Sequence, residues 1–140
     1  MTEQIQKHAA AGFLYDNKRK AVLLHLRDGN TKINPNKWAF FTGLAEGDET
    51  YEQTFRREIK EEIGIDLPND SVRLLDEYLN EEFNTWRHFY VAEHYVPLDK
   101  LTLGEGSGFD WVPLDKVFEL DLTEKTERDL KKFIQTINSK

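Results

Sequence analysis

The chain has 140 residues, which is enough for one compact domain with its own hydrophobic core and too few for two ordinary domains. Its net charge of −7 disfavours broad binding to nucleic-acid phosphates, because such binding needs a basic surface. The absence of cysteine excludes disulfides, thiolate metal sites and cysteine nucleophiles.

The first part of the chain alternates short apolar segments with turn-forming residues. Residues 8–15 and 20–26 are apolar and are separated by an Asp-Asn turn signal, so both segments are predicted strands. Residues 28–36 contain Gly, Pro and three Asn, which predict a loop. Residues 38–41 follow as one predicted short aromatic strand.

A capped helix is predicted next. Thr50 and Gln53 form a capping box, which satisfies free backbone donors at a helix start, and Gly64 fits the position after the last turn. The buried face is marked by apolar residues at four-residue spacing, namely Phe55, Ile59 and Ile63.

The second half of the chain predicts more strands and a second helix. Residues 72–79 and 86–96 are expected to form an antiparallel pair, and residues 109–112 a further short strand. A helix over about 123–137 would bury its apolar face, formed by Leu130, Phe133, Ile134 and Ile137. This order of elements predicts an α/β or α+β fold with a mixed sheet.

The chain shows no repeat and no long linker, so residues 1–140 are expected to form a single domain. The N-terminal residues lack a signal-peptide core, and the longest apolar runs are far shorter than a membrane span. These features predict a cytoplasmic protein that binds neither membranes nor nucleic acid. A small anionic ligand is compatible with the negative charge if divalent cations lie between the two.

One face of the first predicted helix is acidic. Glu58, Glu61 and Glu62 occupy positions i, i+3 and i+4 and therefore project from one side. Like charges at this spacing repel each other, and the helix dipole disfavours them near the C-terminal end. A hard divalent cation is the natural compensating charge, since clustered carboxylates suit magnesium, manganese or calcium. A solvated acidic face is the alternative interpretation.

The sequence around this face resembles the Nudix box. It reads Gly43-Leu-Ala-Glu-Gly-Asp-Glu49, then seven residues, then Arg57-Glu58-Ile59-Lys60-Glu61-Glu62-Ile63-Gly64-Ile65, which matches the box at all its specified positions. The resemblance implies an α/β/α sandwich with a mixed sheet. It also implies metal-dependent hydrolysis of a diphosphate linkage in a nucleoside diphosphate derivative, such as a nucleoside triphosphate or a nucleotide sugar.

The resemblance assigns roles to the charged residues of the box. Glu58, Glu61 and Glu62 correspond to the main ligands of Mg²⁺ or Mn²⁺. Arg57 corresponds to the arginine that pairs with Glu49 and holds the loop against the helix, a role that suits a bidentate contact between guanidinium and carboxylate.

Two further candidate site residues lie outside the box. Glu105, between two glycines, is placed where many relatives have another metal-binding or base-supplying glutamate. The general base is left open among Glu58, Glu61 and Glu105. Thr42 stands where relatives usually have a glycine whose carbonyl often binds a metal. Thr42 keeps the carbonyl, but its β-branched side chain restricts the backbone.

Substrate contacts are expected from basic and aromatic residues. Arg27, at the end of the second predicted strand, is placed to approach a phosphate or a sugar, with a surface ion pair to Asp28 as the alternative. Trp38 and Phe40 are candidates for stacking on a base, although alternate aromatic residues on a strand also pack in cores.

Three other interpretations of the sequence compete with this one. An isopentenyl-diphosphate isomerase would need a catalytic cysteine, which this chain lacks. A non-catalytic nucleotide-binding or sensing Nudix module is the main alternative, but such proteins usually lose box carboxylates that are all present here. A purely structural domain with an incidental acidic helix is the third. Many relatives are dimers, so a homodimer is compatible with the resemblance.

Overall fold

The computed structural model describes residues 7–27, 29, 36–81, 84–102 and 108–138. Within these residues, seven strands form one sheet, and two α-helices pack on it. In chain order the elements are β1 (Lys7–Asp16), β2 (Ala21–Leu26), β3 (Trp38–Ala39), β4 (Phe41–Leu44), α1 (Tyr51–Ile63), β5 (Val72–Asn80), β6 (Thr85–Glu93), β7 (Gly108–Pro113) and α2 (Glu124–Asn138).

The sheet is mixed, as predicted. Its main path runs β3-β2-β1-β6-β5, while β4 pairs with β1 and β7 pairs with β2. The central pair β1 and β6 is parallel, with Ala9 opposite Arg87. The pairs β1–β2, β1–β4 and β2–β7 are antiparallel, and so is the predicted β5–β6 pair.

Each face of the sheet carries its own apolar core. Side chains alternate along β1, so Ala10 and Leu14 pack with α1, whereas Phe13 and Tyr15 pack with α2. This arrangement confirms the α/β/α sandwich. Both core faces are closed by fully buried helix residues, which are Phe55, Ile59 and Ile63 from α1 and Leu130 and Phe133 from α2.

The predicted limits of both helices are confirmed to within one residue. At the start of α1, the backbone N–H of Gln53 donates to Oγ1 of Thr50 (3.1 Å), and the backbone N–H of Thr50 donates to Oε1 of Gln53 (2.8 Å). Gly64 ends the helix in the left-handed conformation, with φ of 76°. In the described ranges, neither helix has the length and apolarity needed to span a bilayer.

Two predicted strands were wrong in extent. The single strand over 38–41 is divided, because the backbone N–H of Phe40 donates to Oγ1 of Thr126 (3.1 Å) while the chain changes its pairing partner from β2 to β1. The strand predicted over 86–96 ends at Glu93, where its pairing with β1 also ends. Most of the predicted loop 28–36 lies outside the described residues.

Candidate active site

Arg57 joins the loop after β4 to helix α1. Its Nε donates to Oε2 of Glu49 (2.7 Å) and its Nη2 donates to Oε1 of the same carboxylate (3.2 Å), which makes the contact bidentate. Nη2 also donates to the backbone carbonyl of Leu44 (2.9 Å) at the end of β4. The structure therefore brings Arg57 and Glu49 together in the way the resemblance implies.

Several groups besides Arg57 donate hydrogen bonds to the carboxylate of Glu49. Its Oε1 also accepts hydrogen bonds from the backbone N–H of Glu46 (3.0 Å) and from Oγ1 of Thr54 (3.0 Å). The hydrogen bond from Arg57, followed by the one from the Glu46 backbone, lowers the pKa of Glu49 from its ordinary 4.5 to about 2. Glu49 is thus ionised at any physiological pH and fixes the loop in one conformation.

The carboxyl group of Glu58 lies against the backbone of Gly43. A Cβ atom built on Gly43 would overlap this carboxyl group, so only glycine allows the approach. Nη1 of Arg57 donates to Oε1 of Glu58 (3.0 Å), and the Glu58 side chain is only 14% exposed. Burial raises the pKa of Glu58 to about 7, and Arg57 offsets part of this effect.

The other two glutamates of the acidic face lie on the same side of α1. Glu61 is largely exposed and accepts a hydrogen bond from Nη1 of Arg57 (3.3 Å). Glu62 is partly buried and stands one helical turn beyond Glu58. Both glutamates add to the repulsion that raises the pKa of Glu58.

This group of carboxylates fits a divalent cation by its chemistry. Carboxylate oxygens are the ligands that Mg²⁺ and Mn²⁺ prefer, and the raised pKa of Glu58 means that Arg57 offsets only part of the cost of burying its negative charge. Among the described residues, no three His, Asp or Glu side chains converge into a preformed metal-binding cluster. Glu58 and Glu61 point to Arg57 instead.

Of the two candidate metal-binding residues outside the box, only Thr42 lies among the described residues. Thr42 lies in β4 opposite Ala11 of β1, so the β-branched residue fits a regular strand, and its side chain is exposed. Its neighbour Gly43 faces α1, while Thr42 faces the opposite side of the sheet. Glu105 lies outside the described residues.

A cleft of about 500 Å³ opens on the α2 side of the sheet. Side chains of β1, β4, β5 and β6 line it, together with the start of α2. The described lining is basic although the chain is acidic overall, because it contains Lys7, Arg27, Arg87 and Lys125 but only the carboxylate of Glu124. A basic concave surface attracts anionic ligands.

Arg87 is held rigidly in this cleft. Its Nε donates to Oδ2 of Asp129 on α2 (3.1 Å), and the hydroxyl of Tyr78 donates to Oδ1 of the same carboxylate (3.0 Å). The sequence alone assigns no role to Arg87. Alternation along β6 identifies its face of the sheet, but the position of α2 determines that this face borders a cleft.

The three residues predicted to contact the substrate lie in different surroundings. Arg27 is partly buried and lines the cleft. Trp38 is also partly buried and packs against the α2-side core. Phe40 also lines the cleft, but its ring packs on Phe13 and Phe89 and only 2% of the residue is exposed, which favours a core role; its stacking on a base stays a prediction.

Comparisons with known proteins agree with this geometry. A sequence model of the NUDIX domain matches residues 6–137. Dihydroneopterin triphosphate diphosphatase of Haemophilus influenzae is 26% identical over 85% of this chain and 88% of that protein. The MutT protein from Methanosarcina mazei Go1 has a similar structure, with a TM-score of 0.76, 21% identity and 100% of both chains covered. The NUDIX domain of Shewanella oneidensis NrtR, solved with ADP ribose, gives a TM-score of 0.73 at 19% identity, covering 98% of this chain and 90% of that chain.

The contact between Glu49 and Arg57 makes stability depend on pH with a defined sign. Because the pKa of Glu49 is lowered from 4.5 to about 2, its contribution is fully present above about pH 4.5 and is lost as the pH falls through about 2. Glu49→Gln removes this contribution. We expect the difference in free energy of unfolding between wild type and Glu49→Gln to shrink as the pH is lowered through this window, as measured by urea denaturation.

Glu127→Gln is the matched control for this measurement, because Glu127 forms an exposed ion pair with Lys131 on α2. Its difference from wild type should change little over the same range. A difference for Glu49→Gln that stays constant from about pH 6 to about pH 2 would contradict the account of Glu49.

Proposed function

The chain belongs to the Nudix family, and on this premise we propose that it hydrolyses the diphosphate linkage of a nucleoside diphosphate derivative with the help of Mg²⁺ or Mn²⁺. It is a Nudix hydrolase, and members of this family generally use a divalent metal. The observation that carries the proposal is the position of the Glu58 carboxyl group. Arg57 donates a hydrogen bond to it, and it lies against the backbone of β4 because residue 43 is glycine.

In this proposal Glu58, Glu61 and Glu62 hold the cation, and Glu105 and the carbonyl of Thr42 are further candidate ligands. When bound, the cation supplies positive charge for the phosphoryl oxygens and lowers the pKa of water. Arg57 is a positioning residue, because it orients the carboxylates of Glu58 and Glu61 and ties their helix to the loop.

The proton released by the attacking water needs a nearby carboxylate as acceptor. Glu58, Glu61 and Glu105 are the candidates that the proposal retains. Glu49 is not one of them, because its carboxylate is occupied by Arg57, the Glu46 backbone and Thr54.

The cleft supplies the binding site for the rest of the substrate. Strand β4 borders both regions, since Gly43 faces the carboxylates on α1 while Thr42 and Leu44 line the cleft. A diphosphate at β4 would therefore lie beside the acidic helix, with the remaining nucleotide in the basic cleft on the other face. Arg27 and Arg87 are the proposed cleft contacts for anionic or polar groups of the substrate.

The first substrates to test are triphosphates of heterocyclic compounds. The Haemophilus relative is named for its action on dihydroneopterin triphosphate, and a nucleoside triphosphate has the same order of heterocycle, sugar-like chain and phosphates. The alternative, a non-catalytic nucleotide sensor, is disfavoured by the complete set of box carboxylates.

Turnover by the purified protein tests the proposal directly. With Mg²⁺ or Mn²⁺, at least one member of a broad panel should release phosphate, diphosphate or a nucleotide. The panel comprises nucleoside triphosphates, dihydroneopterin triphosphate, nucleotide sugars, ADP-ribose, dinucleoside polyphosphates and NADH. Removal of the metal by EDTA should abolish turnover and renewed metal should restore it. A panel without any metal-dependent product would contradict the proposal.

Gly43→Ala tests the close approach of Glu58 to the strand. Gly43 has no positive φ, so alanine fits the backbone and its Cβ should displace the flexible Glu58 carboxyl group. We expect kcat/KM for the best substrate to fall by about 10–100-fold, which is the usual effect when a metal ligand loses the contacts that position it. The free energy of unfolding should change by less than about 1 kcal/mol.

Gly108→Ala in β7 is the control, because a Cβ there meets no described atom within 4 Å. It should retain wild-type activity and stability. Full activity in Gly43→Ala, or a loss of activity explained by unfolding, would count against the proposed position of Glu58.

A further inference from the structure

Two histidines, His8 and His88 (the histidine pair), are in contact on the α1 side of the sheet. Nδ1 of His8 on β1 lies 3.2 Å from Nε2 of His88 on β6, and Nδ1 of His88 lies 2.7 Å from Oε2 of Glu77 on β5. The ring of Tyr51, the first residue of α1, stacks on both imidazoles, with its centroid 3.6 Å from that of His88 and 5.0 Å from that of His8. The proposed hydrolysis uses none of these four residues.

The hydrogen bonds determine which nitrogen of each imidazole carries a proton. An ionised carboxylate can only accept, so Nδ1 of His88 donates to Glu77. In a neutral imidazole the other nitrogen is then an acceptor, and Nε2 of His88 therefore accepts from Nδ1 of His8. With both rings neutral, every contact thus joins one donor to one acceptor.

The histidine pair can take up one proton without losing its contact, but not two. A single positive imidazole still leaves a donor on one side of the 3.2 Å contact and an acceptor on the other, and the carboxylate of Glu77 compensates the charge. The second proton places N–H donors and positive charges on both sides of that contact. Like charges at this distance repel each other strongly in a partly buried site, so the rings must separate.

The other carboxylates described near the pair are bound to arginines and do not compensate a second proton. Glu52 on α1 forms an ion pair with Arg56 (2.9 Å), and Glu46 and Glu49 in the loop after β4 both form ion pairs with Arg57. The positive end of the α1 dipole adds to the repulsion, because the pair lies beneath the first residue of this helix. The remaining described titratable side chains on this face are phenols, which are neutral at acid pH, namely those of Tyr51 and Tyr90.

Burial acts in the same direction as this repulsion. His88 is only 4% exposed, and burial lowers its pKa below the ordinary 6.5, while Glu77 offsets part of the effect. A group whose pKa is lowered by folding contributes stability that is complete above its unfolded pKa and is lost as the pH falls. The contribution of His88 should therefore be complete above about pH 6.5 and be lost as the pH falls through its lowered pKa.

The histidine pair contacts both ends of the loop that carries Glu49. The carbonyl of His8 accepts a hydrogen bond from the backbone N–H of Ala45 (2.9 Å), the first residue after β4. Tyr51, which stacks on both imidazoles, directly follows the loop and begins α1. A movement of His8 away from His88 would therefore disturb the loop at both ends.

We propose that the histidine pair is a pH-sensitive contact that holds residues 45–50 and the start of α1 against the sheet, and that uptake of a second proton by the pair releases them. The same loop carries the carboxylate that Arg57 binds, so acidification loosens the support of the acidic face well before the pH reaches the Glu49 pKa of about 2. This inference goes beyond the proposed function and does not depend on it.

An NMR titration of the isotope-labelled full-length chain from about pH 8 to about pH 4.5 tests the proposal. The ring signals of His8 and His88 should change in two steps, because interacting groups take up protons as a pair. The backbone amide signals of residues 45–51 should shift together with the second, more acidic step. Those of residues 124–138 in α2 should not follow that step.

His8→Asn separates the hydrogen bond from the titration. The amide of Asn carries both a donor and an acceptor, so it can rotate to suit either protonation state of His88. Wild type should therefore lose more stability than His8→Asn as the pH falls. Between about pH 7.5 and about pH 5, the unfolding equilibrium constant of wild type, measured with urea, should rise about five-fold relative to that of the variant, as expected for one lost hydrogen bond.

His94→Asn is the matched control, because His94 lies beyond the end of β6 and outside the histidine pair. It should show the pH dependence of wild type. Buried His25, whose pKa is lowered to about 4, is present in all three proteins and cancels from the comparison.

The inference is overturned if His8 and His88 titrate independently, if residues 45–51 do not follow the second step, or if wild type and His8→Asn respond equally to pH. Should His8→Asn fail to fold, the titration of wild type decides alone. Neither measurement needs substrate, metal or turnover. Failure of the whole hydrolysis panel would therefore overturn the proposed function without affecting this inference, and an active enzyme with an insensitive histidine pair would overturn only the inference.

Discussion

The guanidinium group of Arg57 is the contact on which the arrangement of the site depends. It binds both oxygens of Glu49, the carbonyl of Leu44, one oxygen of Glu58 and both oxygens of Glu61. One positive charge thereby joins the end of β4, the following loop and helix α1. Like-charged carboxylates on a single helix face would otherwise repel each other and lose their common orientation.

Strand β4 separates two regions of opposite charge. On its α1 side, Gly43 admits the acidic face around Glu58, which needs a cation to bind an anionic substrate. On its α2 side, Thr42 and Leu44 border the basic cleft, which attracts an anion without a cation. The acidic chain thus offers a basic surface to the proposed phosphorylated ligand, because four of its basic residues line the cleft where the remainder of that ligand would lie.

The structural features that depend on residues close together in the chain could be predicted from the sequence. The capping box of Thr50 and Gln53 depends on residues three positions apart, so the sequence determines it directly. The interruption of the strand at Phe40 depends instead on the hydroxyl of Thr126, which lies 86 positions away. The cleft lined by Arg87 was equally unpredictable, because strand register and the packing of α2 create it.

Paramagnetic line broadening by Mn²⁺, recorded by NMR of the isotope-labelled protein, tests most directly whether the carboxylates on α1 form the metal site. At substoichiometric Mn²⁺, we expect the amide signals of Gly43 and of residues 58–62 to broaden first. The signals of Glu124 and Glu127, which are acidic residues in the first turn of α2, should keep their intensity. Broadening that begins at α2, or that affects the whole protein equally, would contradict the account.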